Sequence, residues 1–104
     1  MIGLLPGFTP DDGNPYVGIP LPTGLNEGRN MVIARAARVL IAVGGSYGTL
    51  SEIAYGLHFS KPVICLEGAP NIGGTSQASS ADHAVELALD SLITAALTKA
   101  DGAR

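Results

Sequence analysis

The chain has 104 residues, which allows one domain with a modest core and no second one. Six basic against nine acidic residues give a formal charge of −3 with no basic cluster, and this excludes a nucleic-acid or anionic-membrane surface. At 46% hydrophobic and 14% charged the chain is too apolar to stay disordered, and a domain this small has surface left to cover, which favours a homo-oligomer, a dimer or higher. No apolar run reaches the length of a membrane span, and no basic region with an apolar core opens the sequence, so a cytoplasmic location is expected. Cys65 is the one cysteine and lies in the apolar run PVICL, which reads as a buried structural thiol; no disulfide, metal site or resident cofactor is expected.

Ile2 to Leu5 reads as a strand that stops at Pro6-Gly7. Pro6 to Gly24 holds five of the seven prolines, with turn signals at Asp12-Gly13 and Asn14-Pro15, and reads as a long loop near the ligand, pinned by Tyr16 and Val17. Asn26 is placed to cap a helix that runs to about Ala37, with Arg29 in its first turn. A cation there faces the positive end of the helix dipole, so Arg29 either meets an anionic ligand or pairs with Glu27 as a solvated ion pair.

The stretch Arg38 to Ser60 organises the rest. Val39 to Val43 form a β-branched apolar run, Gly44, Gly45 and Gly48 free the backbone where it reverses, and Leu50, Ile53, Ala54 and Leu57 fall on one helical face. A buried parallel strand that enters a helix through a glycine turn gathers unpaired N–H groups and the positive dipole end, which is how an anion site is built. Val63 to Leu66 reads as a third strand, Glu67 to Ser80 as a Gly- and Ser-rich loop, and Ser80 as the cap of a last helix. In that helix Val85, Ala88, Leu89, Leu92, Ile93 and Ala96 keep the period to about Leu97. The expected domain is residues 1–98, with a frayed tail from Lys99 to Arg104. The fold class is α/β, a Rossmann-like parallel sheet with crossover helices that lacks the strands of its N-terminal half.

The turn Gly44-Gly45-Ser46-Tyr47-Gly48-Thr49 lacks the lysine of a Walker loop and the spacing of the dinucleotide fingerprint, yet its amides and the hydroxyls of Ser46 and Thr49 suit a phosphate, with Arg29 as charge partner. Gly44-x-Ser46-x-Gly48 also matches a nucleophile elbow, and a serine esterase would draw on Glu67 and His83. His83 has a bland reading as a first-turn residue, and His58 as a favourable charge at a helix C-terminus. Thr49-Leu50-Ser51-Glu52 reads either as a capping box or as a carboxylate held one turn above a phosphate.

The run GRNMVIARAARVLIAVGGSYGTLSEIAYGLHFSKPVI resembles the Lonely Guy (LOG) and "possible lysine decarboxylase" family of Rossmann-like nucleotide-binding proteins. The matching features are Arg29 at a helix start, the strand Val39 to Val43, the loop Gly44 to Thr49, and Glu52 in the following helix. Asn30 stands where that family has a lysine. The resemblance implies a nucleoside 5′-monophosphate phosphoribohydrolase, cleaving the N-glycosidic bond with Arg29 and Glu52 as catalytic pair and Gly45, Ser46, Gly48 and Thr49 on the phosphate. The alternative from another class is a non-catalytic nucleotide or cofactor carrier or sensor, since relatives of this fold resemble a molybdenum-cofactor carrier. Either way the partner is a nucleotide or phosphorylated small molecule.

Overall fold

The computed structural model describes residues 2–66 and 68–102, and within them lie five strands and three helices in the order β-β-α-β-α-β-β-α. The strands are β1 (Ile2–Leu5), β2 (Ile19–Pro22), β3 (Leu40–Ala42), β4 (Val63–Cys65) and β5 (Ser76–Gln77). The helices are α1 (Arg29–Ala36), α2 (Tyr47–His58) and α3 (Ala81–Gly102), and short 3-10 turns cover Pro10–Asp12 and Asn26–Gly28. All pairings are parallel, in two sheets ordered β1-β2 and β3-β4-β5. This is the expected α/β arrangement of parallel strands and crossover helices.

Two segments read as loops contain strands. Within Pro6 to Gly24, Ile19–Pro22 pairs with β1 in the register Ile2↔Ile19 to Leu5↔Pro22. Its two prolines fit because alternate residues of a strand present their N–H groups to opposite edges. Thr23 N donates to Leu5 O at 2.9 Å, so Ile19 and Leu21 face β1 and the prolines face outward. Val17 pins the segment by packing over Gly3, whereas Tyr16 is exposed. Within Glu67 to Ser80, Ser76–Gln77 extends β4, and Ala78 N donates to Cys65 O at 2.9 Å.

The core is centred on β4, whose three residues are all buried. On one face Val63 and Cys65 join Ala42 and Ile53, with Leu40 and Leu57 packed around them; on the other Ile64 meets Ala84 and Ala88 of α3. Burying side chains such as Ile53 and Val63 contributes about 1.5–3 kcal/mol each. Cys65 is a buried free thiol, as its run implied.

Both long helices meet the sheet through narrower faces than their sequence periods indicated. Ile53 and Gly56 are the buried residues of α2, and Leu50 and Ala54 of the expected stripe are exposed. An added Cβ at Gly56 would overlap Leu40 Cδ1 and lie 2.8 Å from Val63 Cγ2, so the missing side chain lets the helix backbone settle on β3 and β4. In α3 the small residues Ala84 and Ala88 make the contact, and Val85, Leu89 and Ile93 face outward. The helix starts where Ser80 predicts, with His83 N donating to Ser80 Oγ at 3.1 Å, and runs past Leu97 to Gly102; the last two residues lie outside the described residues.

Because Gly56 meets two core side chains, Gly56→Val forces overpacking worth about 2–3 kcal/mol. The urea midpoint is expected to fall with an unchanged slope, which is the signature of lost stability in a two-state transition.

Candidate functional site

The site is built around the β3–α2 turn. Gly44 has φ +88°, a left-handed conformation that glycine adopts without strain, and Gly68 opposite has φ +83°. A Cβ on Gly45 would lie 2.7 Å from Gly68 O, so the two turns approach backbone to backbone and leave no room for a side chain. Gly48, by contrast, sits in ordinary surroundings.

Ser46, not Thr49, caps α2. Its Oγ accepts from Thr49 N at 3.1 Å, and Thr49 Oγ1 lies 3.1 Å from Ser46 Oγ and donates to Val43 O at 3.2 Å. The capping-box reading of Thr49 and Glu52 gives way to a simple serine cap three residues earlier, because Ser46 holds the extended backbone (φ −72°, ψ 164°) a cap requires. That backbone is unstrained, unlike a nucleophile elbow. His83 Nδ1 accepts from Ser79 N at 3.0 Å, and the third member of the esterase triad, Glu67, lies outside the described residues. With Leu50 N bonded to Ser46 O and Thr49 N to Ser46 Oγ, the amides of Tyr47 and Gly48 carry no hydrogen bond among the described residues. Tyr47 itself is fully open to solvent.

α1 brings a second helix start to the same place. It begins at Arg29, and Asn26 does not cap it: Asn26 has φ +50° and opens the 3-10 turn before it, a conformation asparagine tolerates. Asn30 is 4% exposed, and its Nδ2 donates to Ser51 Oγ at 2.8 Å and Gly48 O at 3.4 Å. A buried amide thus joins the starts of α1 and α2. The sequence marked Asn30 only as a departure from a family pattern, and its place between Arg29 and Met31 carried no further signal.

Arg29 points across this junction to β1, where Nη1 donates to Leu4 O at 2.9 Å, and its Nε is buried without a partner among the described residues. With Pro6, Asn26, Glu27 and Asn30 it lines an open cleft of about 360 Å³. Neither a hydrogen bond nor an ion pair joins Arg29 to Glu27 or Glu52 among the described residues, and Glu52 sits half-buried on the second turn of α2. The structure therefore gathers Gly44 to Thr49 into one turn, sets Arg29 at the adjoining helix start, and leaves Arg29 and Glu52 unconnected.

Comparison with known proteins bears on what this arrangement does. A family model described as the SLOG cluster4 family matches residues 1–97. An uncharacterized protein of Archaeoglobus fulgidus is 34% identical over 80 residues, which cover 77% of this chain and 53% of that protein. The solved structure of the molybdenum cofactor binding protein of Rippkaea orientalis superposes with a TM-score of 0.77 at 33% identity, covering 88% of this chain and 61% of its own. The chain spans about half the length of the curated relative it matches.

The Asn30 bridge is the part of the site most open to a direct test. Asn30→Ala is expected to cost about 1–2 kcal/mol, the net worth of a buried hydrogen bond, in chemical denaturation. Asn30→Asp is expected to cost more, since a carboxylate would face the Gly48 carbonyl from a buried position.

Proposed function

The chain belongs to the SLOG cluster4 family, and from that premise we propose that it binds a nucleotide or phosphorylated cofactor as a non-catalytic carrier or sensor. The phosphate would sit on the turn Gly44, Gly45, Ser46, Tyr47, Gly48 and Thr49, with Arg29 supplying charge from the side. The observation that carries this reading is the junction at Asn30, which sets two helix starts side by side. The free amides of Tyr47 and Gly48 and the positive ends of both helices converge on one region, and this favours an anion. The hydroxyls of Ser46 and Thr49 bond within the turn and so hold its shape, leaving backbone N–H groups as the principal donors. That a structural neighbour binds the molybdenum cofactor supports a carrier role over a hydrolytic one.

The LOG-type reading, N-glycosidic cleavage of a nucleoside monophosphate, asks Glu52 to stabilise an oxocarbenium-like ribose while Arg29 orients the phosphate or substrate. Arg29 and Glu52 are joined by neither a hydrogen bond nor an ion pair among the described residues, which favours binding without turnover.

Titration calorimetry with AMP and with inorganic phosphate, alongside an assay for free base, tests this. Binding without base release is expected, weakened about tenfold or more in Arg29→Ala and in Gly45→Val, since each removes a charge-assisted contact or the donor geometry. Base release that disappears in Glu52→Gln would establish the hydrolase instead, and no binding of either ligand would refute the phosphate site.

A further inference from the structure

The fold gathers three of the chain's six basic residues at the end of the sheet remote from the glycine turn. β3 and β4 are parallel with Leu40 beside Val63, and Arg38 and Lys61 each precede their strand by two residues, so the two cations approach the sheet side by side. Arg35 joins them, its guanidinium 5.5 Å from the centre of the Phe59 ring. The turn Gly44 to Thr49 follows β3 at the opposite end, and α2, with its 12 residues, separates the two places by about 18 Å.

Arg38 and Lys61 line an open cleft of about 400 Å³, and Ser60 and Ser91 add hydroxyls to it. The rest of its wall is apolar, with Pro62 on one side and Leu92 and Ala95 of α3 on the other. No carboxylate among the described residues lines the cleft, and Asp90 of α3 lines the neighbouring one instead. Arg38 is exposed and Lys61 half-buried. Like charges set side by side in such a place repel one another until an anion lies between them.

The segment carrying Ser60 and Lys61 is fixed by its own backbone. Lys61 N donates to Gly56 O at 2.9 Å and Ser60 N to Leu57 O at 3.0 Å, the paired bonds that close a helix on a left-handed residue. The last carbonyls of α2 are thereby satisfied and make no claim on the Lys61 ammonium. Ser60 holds φ +58° at the position where glycine commonly ends a helix, so a side chain is kept there against backbone strain. Its residue is one of those that line the cleft.

We propose that this cleft binds a phosphomonoester with an apolar body. The phosphate lies between Arg38 and Lys61, where a guanidinium fork and an ammonium together match a dianion, and the hydroxyl of Ser60 serves as a further donor. The apolar part of the ligand covers Pro62, Leu92 and Ala95, as in a site where few polar groups set the orientation and apolar walls take up the rest. This site is independent of the turn at Gly44 to Thr49.

Titration of the full chain with phenyl phosphate, followed by amide NMR, reads this cleft and that turn through separate resonances. Saturable shifts are expected at Ser60, Lys61 and Ser91, whatever Tyr47 and Gly48 do. Arg38→Gln and Lys61→Gln are each expected to raise the midpoint about tenfold, since each removes a charge-assisted contact. Ser60→Gly is expected to raise the melting temperature by a few degrees yet weaken binding about threefold, a pairing that a purely structural serine would not give. Shifts that never saturate, or that saturate at the same midpoint when Arg38→Gln and Lys61→Gln are combined, overturn the proposal. Inorganic phosphate that binds as tightly as phenyl phosphate overturns it too, because the apolar wall would then have no part in recognition.

Discussion

The Asn30 amide is the contact on which the site's geometry depends. It is buried, its Nδ2 reaches Ser51 Oγ and Gly48 O, and it couples the first residues of α1 to the first turn of α2. Helix starts repel one another electrostatically, since each carries a partial positive charge on unpaired amides. Two of them side by side therefore need a specific bond to hold them, and a shared anion would relieve the remaining repulsion. An ammonium in place of the Asn30 amide would have three donors and no acceptor, but it would add a full positive charge to that junction.

The turn beside it is held in a different way. Gly45 comes so close to Gly68 that steric exclusion, not attraction, fixes its path, while Ser46 and Thr49 exchange hydrogen bonds that lock the helix entry. The result is a preformed rim on which the amides of Tyr47 and Gly48 have no partner among the described residues. Rigidity matters because an anion gains from preformed donors only if they do not have to be ordered on binding.

Strand, glycine turn and helix from Leu40 to His58 were legible in the sequence because local signals and tertiary contacts agree there. The same holds for Cys65, buried within an apolar run, and for Ser80 as a cap. Elsewhere local signals pointed away from the outcome. Pro20 and Pro22 argue against a strand unless one knows which edge their missing N–H groups face, and that depends on pairing with β1, far away in sequence. Ser76–Gln77 is a strand only because β4 offers it an edge. Thr49 and Ser46 both have cap chemistry, and the choice between them rests on backbone dihedrals set by Gly44 and Gly45. For α2 and α3 the buried face is the one with small residues, Gly56, Ala84 and Ala88, so hydropathy alone selected the wrong stripe in part. Asn30 and the Leu4 carbonyl that holds Arg29 are long-range contacts with no local signature.

Arg29 links β1 to the candidate site. Among the described residues its guanidinium has one hydrogen-bond partner, the Leu4 carbonyl on the edge of β1 away from β2. A β-strand carbonyl and a phosphate are both acceptors for the same donor, and the charged acceptor gives the stronger bond. The arginine satisfies Leu4 O, and its Nε is buried without a partner among the described residues. The donor best placed to serve an anion in the cleft that Pro6, Asn26 and Glu27 border is thus engaged by a neutral carbonyl, and an anion bound there would compete for it with the advantage of its charge.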